Sequence, residues 1–297
     1  MKKQKAKINE IRKITWIGLI INVLLSILKF IVGFLGNSQA VIADAIHSLS
    51  DMATDFAVII GVKYWEPPAD DDHPYGHKRI ETLITLIIGL VLAYVGYEII
   101  YKAIVTIPKP DPKQATWIAT LGPFLSIIAK ELLYRWTVNI GKKEKSSALI
   151  ANAWHHRSDA MSSFPAFISV GIAAISPKFS FVDHIGAIIV SGFIFKVAWD
   201  IVKPAFLELT DSGATKKEMD EINLIALDTE GVISTHKTRT RKSGRGFFVD
   251  IHIQVDGRLS VKDGHEISEE VKENIISRGP DVIDVVVHLE PFEEDKK

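Results

Sequence analysis

The sequence predicts an all-α transmembrane bundle of six helices followed by a small cytoplasmic α/β domain of ferredoxin-like αββαβ order, and three observations carry this. Several apolar runs reach the ~20 residues needed to cross a hydrocarbon layer of ~30 Å. Charge density steps up after residue 208: residues 1–208 carry 22 Lys/Arg and 17 Asp/Glu, while the much shorter stretch 209–297 carries 13 and 19. Past that step the long apolar runs give way to short helix and strand periods. The expected division is a membrane domain at 1–208, a cytoplasmic domain at 209–291 and a charged tail at 292–297.

Composition narrows the chemistry. A formal net charge of -1 in 297 residues excludes nucleic-acid binding by bulk charge. The absence of cysteine excludes disulfides, thiolate metal sites and a cysteine nucleophile together, so any metal must be held by nitrogen and oxygen.

Met1 to Lys13 is basic, and the apolar run behind it continues to about Leu35 with no small-residue cleavage site, which predicts a first transmembrane helix, not a removed signal peptide. Spans are expected at 14–35, 39–63, 80–106, 115–138, 147–175 and 182–205. Chain punctuation separates them: a turn at Gly36-Asn37-Ser38, the run Pro108-Lys109-Pro110-Asp111-Pro112, Ser176-Pro177, and Pro204 closing the sixth span. The N-terminus and the loops at 63–79 and 135–145 hold thirteen Lys/Arg against three in the alternate loops, which puts both termini in the cytoplasm. Beyond Asp211, helices are expected at 215–229 and 261–277 and strands at 232–241, 247–255 and 282–289.

Ionisable groups in hydrocarbon cost at least ~2.5 kcal/mol each, so each needs a reason. Span two offers Asp44, His47, Asp51 and Asp55 on one helical face, and span five offers Asn152, His155 and Asp159 with Ser163 a turn further. The segments Ala43–Phe56 and Ala151–Phe164 align without gaps with six of fourteen residues identical, the pairs His47/His155 and Asp51/Asp159 among them. Spans two and five cross in opposite directions, so the repeated His-x-x-x-Asp face would bring two imidazoles and two carboxylates together near the midplane, a tetrahedral zinc-type donor set. Helix-to-helix hydrogen bonding is the competing reading, but two repeated pairs exceed what packing requires. Lys29 is expected to reach the outer interface, Lys196 and Asp200 to pair at i, i+4, and Lys130, Glu131 and Arg135 to form an ion network near the inner end of span four.

At these residues the chain resembles the cation diffusion facilitator family of divalent-metal/proton exchangers. The resemblance covers nearly the whole chain and rests on His47-x-x-x-Asp51, His155-x-x-x-Asp159, the loop from Pro68 to His77, and the histidines of the last domain. It implies a homodimer with its transport site at those four residues and a cytoplasmic metal-binding domain. It further implies a loop site at Asp70, His73 and His77, which Pro74 and Gly76 make plausible by extending the chain before the one and turning it at the other. A cytoplasmic-domain site follows at His236, His252, His265, His288 and Glu290, where zinc exporters of the family usually have Asp in place of Glu290 and a polar residue in place of Leu289. Arg79 and Asp211 match a hinge ion pair of the family.

The expected function is export of a divalent transition metal, Zn²⁺ first, from the cytoplasm in exchange for protons across a prokaryotic cell membrane. Asp44 and Asn152 stand one turn from the ligands as second-sphere groups or proton relays. The alternatives are an Mn²⁺- or Fe²⁺-preferring exporter, a membrane-embedded metalloenzyme, and a metal sensor. Spans two and five contain no His-Glu-x-x-His motif and no Glu to act as general base, which argues against the enzyme.

Overall fold

The structure is a computed structural model that describes residues 2–65, 67–107, 114–143, 147–244 and 246–292. The proline-rich break at 108–112, Arg245 in the turn after strand one and the tail beyond Phe292 lie outside the described residues, as does the side chain of Asp55. The chain divides into two compact units, Met1–Ala57 with Ile87–Ile201, and Val58–Leu86 with Val202–Lys297.

The first unit is helical. Its helices are drawn from α1 (Lys2–Leu35), α2 (Gln39–Trp65), α3 (Lys78–Thr106), α4 (Leu121–Lys143), α5 (Ser147–Ser162), α6 (Phe164–Ile175) and α7 (Phe181–Leu209). Large apolar side chains line the outside: Ile20, Leu24, Ile27, Ile31 and Phe34 repeat at helical spacing on α1 and are all more than half exposed. An exposed apolar stripe of that length suits lipid and not water. The interior is small and polar, with Ala40, Ala43, Ala103, Ala166, Ala187 and Val190 forming one buried cluster. Small residues let helix backbones approach closely, the packing that works where lipid removes the hydrophobic drive. Gly36 is the clearest case, because a Cβ there would stand 2.5 Å from that of Ala119.

Among the described residues, five helices are long and apolar enough to cross a membrane, Trp16–Leu35, Lys78–Thr106, Trp117–Lys143, Leu149–Ile175 and Pro177–Leu209. The 27-residue α2 carries Asp44, Asp51 and Asp55. The fifth span is present at Leu149–Ile175, with its helix interrupted at Ser163, because Pro165 has no N–H to return to the carbonyl of Met161. One expectation needs correction. The sixth span does not stop at Pro204, which sits inside α7 while the helix runs on to Leu209. The start of α2 is held by Asp183, which accepts the Ser38 hydroxyl at 2.5 Å and the Gln39 N–H at 2.6 Å, an anion at a helix N-terminus.

The second unit contains α8 (Lys216–Leu227), β1 (Ser234–Ser243), β2 (Gly246–Asp256), α9 (Val261–Arg278) and β3 (Val282–Phe292). The sheet order is β1-β2-β3, with β1 antiparallel and β3 parallel to β2. Val249, Ile251, Ile253 and Val255 on one face of β2 form a core with Ile222 and Ile225 of α8 and Val271 and Ile275 of α9. Helix starts are fixed locally: Thr215 and Glu218 make a reciprocal capping box, and Ser260 accepts the Asp263 N–H at 3.2 Å.

Ile251 is fully buried in that core, so Ile251→Ala should lower stability by about 2–5 kcal/mol. Thermal melting of the detergent-solubilised chain checks this, with Val261→Ala, at a 90% exposed position, expected to melt like the parent.

Candidate metal centre

Helix α2 carries Asp44, His47 and Asp51 along one stripe, all three buried or nearly so. His47 Nδ1 lies 3.9 Å from Asp51 Oδ1. On α5, His155 Nδ1 lies 3.6 Å from Asp159 Oδ1, with Asp159 buried and the His155 side chain 54% exposed. Across the helices, Asp159, Lys130 and His155 act electrostatically on Asp51, and Asp159 and Lys130 act on His47. The four expected ligands stand as two imidazole–carboxylate pairs; their donor atoms are not all within 4.8 Å of one another, as those of two other groups are. The reason is visible in the contacts: His155 is turned outward, and Asp159 Oδ2 is engaged by Lys130 Nζ at 3.1 Å. Two ligand atoms are left bare, His47 Nδ1 and Asp51 Oδ2, both buried without a hydrogen-bond partner. Buried polar atoms are nearly always paired, so both are exceptions to the usual pairing.

Beside the pairs lies a buried ion network. Lys29 is fully buried, a correction to the expected reach toward the outer interface. Its ammonium pairs with Asp44 Oδ2 at 2.9 Å and donates to Ser48 Oγ and Ser163 Oγ, each at 2.9 Å. Ser163, at the break between α5 and α6, in turn donates to Asp44 Oδ1 at 2.9 Å. Asp44 is therefore engaged by Lys29 and Ser163, and Asn152 contacts His156 at 3.5 Å. Lys130 is buried against Asp159, while Glu131 pairs separately with Arg135 at 2.9 Å. Lys196 and Asp200, both exposed on α7, form no ion pair among the described residues.

His156 was not singled out by the sequence reading, yet it is 4% exposed with Nδ1 unpartnered. The signal was present, because Asn152, His156, Asp159 and Ser163 fall at spacings of 4, 3 and 4, as good a helical face as the one through His155.

Among the described residues, two groups do bring three ligand atoms within 4.8 Å of one another: Asp70, His73 and His77, and His236, His252 and Glu290. In the loop, Asp70 Oδ1 accepts the N–H groups of His73 at 2.7 Å and Asp72 at 3.1 Å, and Oδ2 stands 3.4 Å from His77 Nε2. The backbone N–H of His73 holds the Asp70 carboxyl below its usual range. In the sheet, His236 is in register with His252, and His252 with His288, so three imidazoles form a row across β1, β2 and β3 on the face opposite the core. Glu290 gathers them: Oε1 meets His252 Nδ1 at 2.8 Å and His288 Nε2 at 3.4 Å, and Oε2 meets His236 Nε2 at 3.0 Å. The His252 hydrogen bond, helped by the charge of His236, holds the Glu290 carboxyl below its usual value. His265 does not join this group. It is exposed on α9, and α9 packs on the core face of the sheet. Arg79 and Asp211 form an ion pair within the second unit.

The chain can be set beside known proteins at this point. The cation efflux transmembrane domain matches residues 15–210, and the cytoplasmic domain of cation efflux proteins matches residues 214–292. The chain is 32% identical over 289 residues to the manganese efflux system protein MneP of Bacillus subtilis, covering 96% of this chain and 97% of that one. It is 37% identical over 268 residues to an uncharacterised transporter of Methanocaldococcus jannaschii, covering 90% and 94%. With metal tolerance protein C1 of Arabidopsis thaliana it shares 33% over 294 residues, 94% of this chain and 62% of the other.

Two outcomes follow from the geometry. Lys29→Met strands Asp44 in the interior and should cost about 3–5 kcal/mol, most of it recovered by adding Asp44→Asn; melting of the solubilised variants measures both. Because the folded Glu290 carboxyl sits below its ordinary value of 4.5, its stabilisation is present above that pH and is lost as pH falls further. His252→Ala should return the Glu290 value toward 4.5 in a carboxyl-carbon NMR titration.

Proposed function

The chain belongs to the cation diffusion facilitator family, and from that premise we propose that it exports Zn²⁺ from the cytoplasm in exchange for protons, with His47, Asp51, His155 and Asp159 as the transport ligands. As a member it is a multi-pass metal-cation efflux transporter and not an enzyme. The observation that carries the residue assignment is the pair of unpartnered buried atoms, His47 Nδ1 and Asp51 Oδ2, one helical turn apart on α2. Two neighbouring bare ligand atoms in hydrocarbon are costly unless a cation or a proton takes them in turn.

The exchange follows from the donors. Metal binding needs neutral imidazole and ionised carboxylate, so metal and protons compete for the same atoms, and an imidazole changes charge within the working pH range. The break at Ser163 supports alternating access, because discontinuous helices at a midplane site are a recurring device of secondary transporters. Two nitrogens and two oxygens suit tetrahedral Zn²⁺. The Asp44 oxygens are already engaged by Lys29 and Ser163, which argues against a larger oxygen count. Mn²⁺ is the second reading, favoured by the likeness to a manganese efflux protein.

The Asp70 and the Glu290 groups are proposed as cytoplasmic metal sites outside the transport path, His288 belonging to the second group through its contact with Glu290. Arg79 and Asp211 are proposed as the hinge pair, and the last domain as the contact that holds a homodimer, both termini being cytoplasmic by the Lys/Arg bias.

In sealed proteoliposomes, Asp51→Ala should abolish metal-driven proton movement read with a pH-sensitive dye; undiminished exchange would sink the assignment. A flux competition with Zn²⁺ and Mn²⁺ decides the cargo, Zn²⁺ being expected to suppress Mn²⁺ movement at lower concentration. Exchanging the charges of Arg79 and Asp211 should restore activity lost in either single reversal, and failure of that rescue counts against the hinge.

A further inference from the structure

Lys29 and Lys130 are the buried lysines among the described residues of the first unit, and they differ in their partners. Lys29 pairs with Asp44 Oδ2 and donates to Ser48 Oγ and Ser163 Oγ, three contacts of 2.9 Å. Lys130 is as buried, at 2% exposure, but among the described residues its ammonium has the single partner Asp159. It stands on the buried stripe of α4 with Ser126, Leu133 and Thr137. Its ammonium lies 3.1 Å from Asp159 Oδ2, on a carboxylate read as a transport ligand.

We propose that the Lys130 ammonium is a tethered stand-in for the cargo: it covers Asp159 while the site is without metal and must leave that carboxylate for metal to bind, so Lys130 sets the metal affinity. The proposal rests on the reading of Asp159 as a transport ligand. Charge balance is the reason. With both carboxylates ionised, a site without metal carries two negative charges in a low dielectric, and Lys130 offsets one of them. A bound divalent ion matches both carboxylates by itself, and a cation still 3.1 Å from Asp159 Oδ2 would then face it as a like charge. The flexible alkyl stem lets the ammonium withdraw while the helix stays in place. The ammonium thus acts on the metal through Asp159, which makes Lys130 a positioning residue and not a ligand.

The test is a split between KM and kcat for Zn²⁺ flux in proteoliposomes of the full chain. Lys130→Met should lower KM by about tenfold or more, since a repelling charge is gone, and should lower kcat because release now lacks its competitor. A role in packing alone would reduce kcat or the folded yield and leave KM where it was, and that result overturns the proposal. Lys130→Arg provides the second measurement should the Met variant not fold: a planar fork grips a carboxylate through two hydrogen bonds, so KM should rise, and an unchanged KM overturns the proposal equally. Asp159→Asn separates the two levels of argument. If it transports with an unaltered KM, the transport-site reading itself fails; if it loses flux while the Lys130 variants keep the parent KM, only the stand-in role fails.

Discussion

A charge in hydrocarbon must have a partner, and the interior of the membrane unit is organised by that requirement. Lys29, Asp44, Ser48 and Ser163 meet it together, joining α1, α2 and the break between α5 and α6 through contacts of 2.9 Å. Fully satisfied polar networks fix one arrangement of helices, because every alternative strands a charge. The consequence for the neighbouring His–Asp pairs is a rigid frame beside which they remain incompletely paired.

That contrast between satisfied and unsatisfied groups separates scaffold from working site. Asp44 lies one turn from His47 on the same helix, yet its carboxylate is spoken for, whereas Asp51 keeps a bare oxygen. The same logic distinguishes the two lysines, and it places Asp44, expected as a second-sphere group or proton relay, in the frame. An apolar exterior and a polar, small-residue interior are both answers to a solvent that cannot hydrogen-bond.

The sheet of the second unit is built on a different rule, an apolar core between sheet and helices. Its polar face is nonetheless specific. Register places His236, His252 and His288 side by side, and Glu290, two residues beyond His288, reaches all three. Alternation along β2 puts His252 on the face away from Val249 and Ile251 for the same reason that it puts those two inside.

Local pattern alone determined which segments are helices or strands, that the first part belongs in lipid, and that a His-x-x-x-Asp unit is repeated, because periodicity and apolar length are properties of neighbours in the chain. It also supplied the parity of His252. Partner choice was decided only by the tertiary structure: that Lys29 turns inward to Asp44, that Lys130 takes Asp159, that His156 is buried while His155 is exposed, and that His265 stands apart from the other tail histidines. Long side chains reach across helices in many directions, and which direction wins depends on groups more than a hundred residues distant, as in the contact of Lys29 with Ser163. Breaks behaved likewise, for Pro165 interrupts its helix and Pro204 does not, although each removes one backbone donor.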